Sequence, residues 1–194
     1  MTDHSVEDAI GQAIQAHKAM VARLEAHGVT VIARAAAAIA EVLKRDGRVY
    51  VCGNGGSAAD AQHIAGELVG RFERTRRALP VQALTTDTSI LTAIGNDLSF
   101  DDVFVRQVEA FMHPGDLLWA ISTSGASPNV IKAAHLAKDR GATVLAFTGR
   151  ANSPLEQISH LCLCAEYPSS ARSQEIHQLA YHIICGLVEQ DVCG

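Results

Sequence analysis

The sequence predicts an α/β protein: a three-layer sandwich with a central parallel sheet of about five strands, preceded by N-terminal helices. Three observations predict it. Short apolar runs bounded by turn residues recur along the chain. Amphipathic helical patterns separate most of them. Two loops rich in glycine and hydroxyl residues each follow an apolar run and precede a helix. Alternation of this kind buries both faces of a parallel sheet under helices.

Residues 6–26 and 30–45 read as two amphipathic helices, the second ended by Gly47. The alanines at 35–38 suit tight helix packing. These helices have no place within a sheet, so residues 1–46 are the candidate oligomerisation element. Strands are expected at 48–52, 81–84, 117–121, 143–148 and 160–164. Helices are expected at 58–69, from Pro128 to about Lys138, and at 172–190. In the last, Ile176, Leu179, Ala180, Ile183 and Leu187 form an apolar stripe at helical spacing and are expected to face the core.

With 194 residues the chain is expected to be one domain over 1–194, large enough for a sizeable core. The formal net charge of -5 gives no global nucleic-acid signal. No apolar run spans a bilayer, and the polar N-terminus lacks a signal-peptide pattern. The 5 cysteines form no Cys-x-x-Cys pair and read as reduced, mostly buried thiols. Cys162 and Cys164 share a strand face, but two ligands do not make a zinc site. A cytoplasmic protein with no nucleic-acid or membrane partner is the expectation.

Chemistry concentrates in the loops. Gly53-Asn54-Gly55-Gly56-Ser57 joins the first strand to a helix. Glycine lets the chain turn sharply and approach a ligand closely. The helix N–H groups and the positive end of its dipole then face an anion. Ser122-Thr123-Ser124-Gly125-Ala126-Ser127-Pro128 repeats the arrangement. Ser127 suits an N-cap and Pro128 the first helical position. Capping leaves Ser122, Thr123 and Ser124 unexplained, just beyond the strand's carboxyl end where ligands of such sheets bind. Hydroxyls and N–H groups without lysine suit a small monophosphate.

Nucleotide readings fare worse. Gly53 to Ala58 formally fits G-x-G-x-x-A. The acidic residue expected about 20 residues later would be Glu73, which lies in a basic segment and does not end a strand. A P-loop is excluded because no Lys-Ser or Lys-Thr follows the glycines.

His63 and Glu67 lie four apart on the first loop's helix and project from one face. Alone, the pair reads as a surface contact. Beside an anion loop it reads as an acid–base or metal pair. The final helix offers His182, which borders the apolar stripe; Gln174, Glu175, His177 and Gln178 are expected on its other faces. Two histidines and a glutamate suit a divalent metal such as zinc. The basic segment 71–77 reads mostly as a solvated loop, with Arg71 best placed to reach an anion.

These residues resemble the phosphoheptose isomerases of the sugar-isomerase (SIS) domain class. The similarity runs through Gly53-Asn54-Gly55-Gly56-Ser57, Asp60-Ala61-Gln62-His63 and Glu67-Leu68-Val69-Gly70-Arg71. It continues through Gly95-Asn96-Asp97, Ile121-Ser122-Thr123-Ser124-Gly125 with Ser127, and Gln174-Glu175-Ile176-His177. It covers residues 31–189. The resemblance implies a flavodoxin-like SIS fold. It implies conversion of sedoheptulose 7-phosphate to D-glycero-D-manno-heptose 7-phosphate, the first step toward nucleotide-activated heptose. It also implies a homotetramer with shared active sites, and one zinc ion per subunit held by His63, Glu67, Gln174 and His182.

Spacing and resemblance differ at one ligand. At 100° per residue, Glu175 lies about 20° from His182 around the helix and Gln174 about 80° away. Spacing selects Glu175; the resemblance selects Gln174. Some members of the family carry an Asp where this chain has Ala171, which bears on one sugar-hydroxyl contact. The resemblance makes Glu67 the base that moves a carbon-bound proton, with His182 as its partner on the oxygens. One group is not both an ordinary metal ligand and a free base at once, so which of the two roles Glu67 takes is open. Ser122, Thr123, Ser124 and Ser127 would hold the phosphate. Asn54, Gly55, Gly56 and Ser57 would line the reacting end, with Arg71, Asn96, Asp97 and Gln174 as further substrate contacts. Glu67 and His182 come from opposite ends of the chain and need not meet within one subunit. A non-catalytic sugar-phosphate-binding regulator of the same fold is the alternative; the acid–base pair favours the enzyme.

Overall fold

The computed structural model describes residues 3–194. Its sheet holds β1 (Val49–Gly53), β2 (Val81–Ala83), β3 (Leu117–Ser122), β4 (Thr143–Thr148) and β5 (Leu161–Cys164). The order is β2-β1-β3-β4-β5, and every neighbouring pair is parallel. β1 and β3 are buried along their whole lengths, which explains continuous apolar runs in place of alternation.

Among the described residues, eight α-helices accompany the sheet: α1 (Asp3–His27), α2 (Val29–Lys44), α3 (Gly56–Val69), α4 (Thr88–Asp97), α5 (Val105–Phe111), α6 (Pro128–Asp139), α7 (Pro154–Ile158) and α8 (Ser170–Cys193). Side-chain alternation along the strands divides the core in two. Val51, Trp119 and Phe147 face Ile39 of α2, Ile64 of α3 and Ile184 of α8. Tyr50, Leu118 and Val144 face Val108 of α5 and Val130 of α6. From β1 the chain moves to β2 on one side and later to β3 on the other. The loops leaving β1 and β3 are therefore neighbours at the topological switch point, where ligands of such sheets bind.

Several expectations need correction. The apolar stripe of α8 is rotated from its expected face. Ile183 and Leu187 are 42% and 39% exposed, while His177, Tyr181 and Ile184 are buried. α8 packs against both α2 and α3, so its buried arc takes in residues that polarity discounts. His177 is completely buried and its Nε2 lies 3.0 Å from the Thr148 carbonyl. The basic segment is not wholly solvated, because Arg76 is buried against Glu189, with side chains 3% and 2% exposed. Of the cysteines, all free, Cys52 and Cys185 are buried and the other three are half-buried.

No single helix among the described residues is long and apolar enough to cross a membrane. α1 and α2 together have the length and composition, but they bend by 69° and α2 buries Ile32, Ile39 and Leu43 in the core. α1 leaves Val6, Ile10 and Ile14 exposed on one stripe. α4 buries no residue, and Leu98 and Phe100 just beyond it are 61% and 62% exposed.

Candidate active site

The two loops at the switch point enclose a cleft of about 270 Å³. Asn54, Gly55 and Ser57 line one wall; Ser122, Thr123 and Ser127 line the other; Ser170 and Gln174 close the end from α8. Gly55 has φ +55°, a conformation side chains rarely adopt. At Gly56, a Cβ would lie 2.5 Å from the Gln174 side-chain amide, so a larger residue there would push that amide aside. The sequence singles out Gly55 and Gly56 for these physical reasons.

The second loop turns its hydroxyls on one another. Ser122 Oγ lies 2.9 Å from Ser127 Oγ and 3.3 Å from Ser124 Oγ. Ser127 stands at the N-cap of α6, yet its side chain makes no capping bond. Capping therefore fails to explain Ser127, whose hydroxyl turns to Ser122. Thr123 Oγ1 donates to Ser170 Oγ at 3.0 Å, and Ser124 Oγ accepts from the Ala126 N–H at 3.2 Å. Asn54 and Asn129 exchange two amide hydrogen bonds, each 2.9 Å, and so join the loops directly.

Farther along α3, three side chains converge. The ligand atoms of His63, Glu67 and His182 all lie within 4.8 Å of one another. His63 Nε2 is 2.9 Å from Glu67 Oε1 and 3.4 Å from His182 Nε2. A zinc–nitrogen bond of about 2.0–2.1 Å requires tetrahedral ligand atoms about 3.4 Å apart. The paired histidine nitrogens meet that requirement, so these residues fit a metal ion. The Tyr181 hydroxyl lies 2.9 Å from His63 Nδ1, on the side away from the other two. Burial and the neighbouring His63 hold the His182 imidazole below its ordinary value, with Glu67 opposing the shift. Burial also pushes the Asp60 carboxyl up to about 6, against the opposing pull of His63 and the Tyr181 hydroxyl.

The other expected residues are placed unevenly. Gln174 packs over Gly56 in the cleft. It precedes His182 by eight residues, about 12 Å of helix rise. Glu175, which spacing favours as a ligand, is committed elsewhere: its carboxylate meets His17 of α1 at 2.8 Å and Arg172 at 2.7 Å. Arg71 is exposed just beyond α3. Asn96 and Asp97 sit at the exposed end of α4, joined to each other at 2.7 Å, and do not line the cleft. Glu67 and His182, left free by the sequence to come from different chains, meet within one.

Sequence reasoning missed Asn129, Ser170 and Tyr181. Asn129 had one usable signal, an amide in the first turn after the second loop, opposite Asn54 on the adjacent strand. Tyr181 had none, because its role depends on how α8 rotates against α3.

Residues 14–149 match the family model described as SIS domain. The phosphoheptose isomerase of Aquifex aeolicus (strain VF5) is 54% identical over 155 residues, covering 80% of this chain and 81% of the relative. The chain belongs to the phosphoheptose isomerase family. Solved structures agree. The phosphoheptose isomerase from Neisseria gonorrhoeae aligns with a TM-score of 0.90 at 39% identity, over 95% of this chain and 99% of that one. The enzyme from Francisella tularensis aligns at 0.88 with 34% identity, over 98% and 100%. Membership in an isomerase family, with Glu67 and His182 converging, leaves no place for the non-catalytic regulator.

Proposed function

We propose that this isomerase converts sedoheptulose 7-phosphate to D-glycero-D-manno-heptose 7-phosphate, opening a route to nucleotide-activated heptose. One observation carries the reading: His63 and Glu67 of α3, the helix that begins at the hydroxyl-lined cleft, converge with His182 of α8 within 4.8 Å. The phosphate fits the cleft, where Ser122, Thr123 and Ser127 offer uncharged donors and Ser124 stands behind Ser122 at 3.3 Å, with Ser57 and the start of α3 opposite. The sugar then extends along α3 past Asn54, Gly55, Gly56 and Gln174 toward the trio. Arg71, Asn96 and Asp97 are proposed as further substrate contacts.

Aldose–ketose isomerisation moves a proton between adjacent carbons while charge develops on oxygen. Glu67 turns Oε1 to His63, and its second oxygen is left to carry the carbon-bound proton. His182 handles protons on the sugar oxygens. His63, Glu67 and His182 would hold one zinc ion per subunit, with Gln174 as the fourth donor after its amide leaves Gly56. When bound, the metal polarises carbonyl and hydroxyl oxygens. The ligand and base readings of Glu67 are alternatives, since one carboxylate is not an ordinary metal ligand and a free base at once.

We also infer a single domain over 1–194 and a homotetramer. The apolar stripe on α1 and the uncovered α4 support assembly. Five free thiols and a sugar-phosphate substrate suit the cytoplasm.

Turnover of purified protein with sedoheptulose 7-phosphate, beside ribulose 5-phosphate and fructose 6-phosphate, tests the substrate. The heptose phosphate is expected to give the largest kcat/KM. Preference for either other sugar would overturn the assignment.

A further inference from the structure

Glu189 lies two turns beyond His182 on α8 and is 1% exposed. Its carboxylate gathers the loop after α3. Oε1 accepts the Phe72 N–H at 3.0 Å, and Oε2 accepts the Glu73 and Arg74 N–H groups at 2.8 Å each. Arg76 Nε lies 3.0 Å from Oε1. Burial pushes this carboxyl up, but the three N–H groups and the guanidinium outweigh it and hold the group below its ordinary value.

Two lines run from this anchor to the trio. Arg76 Nη2 donates to the Glu67 carbonyl at 2.8 Å, and Nη1 to the Gly70 carbonyl at 3.0 Å, satisfying the last turn of α3. Phe72 runs the other way. Its ring stacks on His182 with centroids 5.8 Å apart and planes 21° from parallel. The same ring covers Gly186, where a Cβ would already be 3.4 Å from Phe72 Cε1. His63 and Tyr181 meet His182 edge-on, at 4.9 and 4.7 Å. Phe72 thus covers a face of the imidazole that those neighbours do not hold.

We propose that Phe72 is a positioning residue for His182, presented to it by the Glu189 carboxylate. The loop lacks regular secondary structure, and without Glu189 nothing in its local sequence directs the ring to α8. The proposal rests on the reading of His63, Glu67 and His182 as the metal and acid–base site.

Phe72→Leu keeps apolar bulk and removes the ring plane. Zinc affinity, measured by chelator competition, and kcat are each expected to fall about 10–100-fold, with KM changed less than about two-fold. The melting temperature should stay near that of the wild type. Phe72→Tyr, which keeps the ring, should restore both quantities. If Phe72→Leu fails to fold, Gly186→Val displaces the same ring without worsening helix propensity, and the same losses are expected. Wild-type zinc affinity and kcat in either folded variant would overturn the proposal. A His182→Ala arm separates the two readings. Lost zinc affinity there, with Phe72→Leu unchanged, sinks the positioning role alone. Retained affinity and turnover in His182→Ala sink the site itself.

Discussion

The Tyr181 hydroxyl and His63 Nδ1 stand 2.9 Å apart, on the far side of the imidazole from Glu67 and His182. A neutral imidazole donates from one nitrogen and accepts at the other. If Nδ1 carries the proton and donates it to Tyr181, the Nε2 lone pair faces the other two ligands. Partners of this kind fix tautomer and ring orientation at metal sites. Tyr181→Phe should therefore lower zinc affinity by about 10–100-fold, measured by chelator competition, with the fold retained. Unchanged affinity would mean that other contacts orient His63.

Glu67→Gln keeps nearly the same shape and removes the base; His182→Ala removes its partner. Each should lower kcat by about 10²–10⁴-fold. Circular dichroism should show an unchanged fold, since both side chains are partly exposed. Near-normal turnover by folded Glu67→Gln would exclude Glu67 as the base.

The proposed phosphate site is built from hydroxyls. Ser124→Ala should weaken substrate binding by roughly 1–3 kcal/mol, the range for a hydrogen bond to a charged group. Sedoheptulose without its phosphate should bind the wild type poorly by calorimetry. Equal binding of the two sugars would remove the phosphate from this cleft.

Glu67 and His182 share one chain, so mixing Glu67→Gln with His182→Ala subunits should restore no activity. Asp97 differs, because it lies on an uncovered helix away from its own chain's cleft. Mixing Glu67→Gln with an inactive Asp97→Ala protein should restore activity if a partner supplies Asp97. Absence of recovery despite demonstrated subunit exchange would place Asp97 outside any shared site.

His177 sets an acid limit. Burial lowers its pKa to about 4, against an opposing hydrogen bond to the Thr148 carbonyl. The unfolded chain takes up this proton near pH 6.5 and the folded chain only near pH 4. Stability from neutral His177 is fully present above pH 6.5 and is lost as pH falls toward 4. At about 1.4 kcal/mol per pH unit, the loss between pH 6.5 and 5 is about 2 kcal/mol. Urea unfolding at pH 7.5 and pH 5 checks it. His177→Gln should remove about that much of the pH dependence, and an unaltered slope would refute the assignment.

The sheet was legible because β1 and β3 are buried throughout and carry unbroken apolar runs. The turn after β1 was legible because Gly55, at positive φ, answers a local backbone demand. α8 was misread in part. Its polar His177 and Tyr181 face the interior while Ile183 and Leu187 face out, an orientation set by two flanking helices and not by hydropathy. The burial of Arg76 was not legible for a related reason. A buried arginine needs a carboxylate, and its partner Glu189 lies more than a hundred residues away. Glu175 shows the limit of angular spacing, since contacts with His17 and Arg172 draw it from the position the helical wheel assigns.

The paired amides of Asn54 and Asn129 have a wider consequence. They weld two loops from adjacent strands into one piece, using groups that carry no charge and do not titrate. The walls they support are hydroxyls and main-chain donors, equally indifferent to acidity. Between mildly acidic and mildly basic solution, the ionisation that governs occupancy of this cleft belongs to the proposed ligand, whose phosphate loses its second proton near pH 6. The receptor holds its form, and the visitor's own charge decides how firmly it is held.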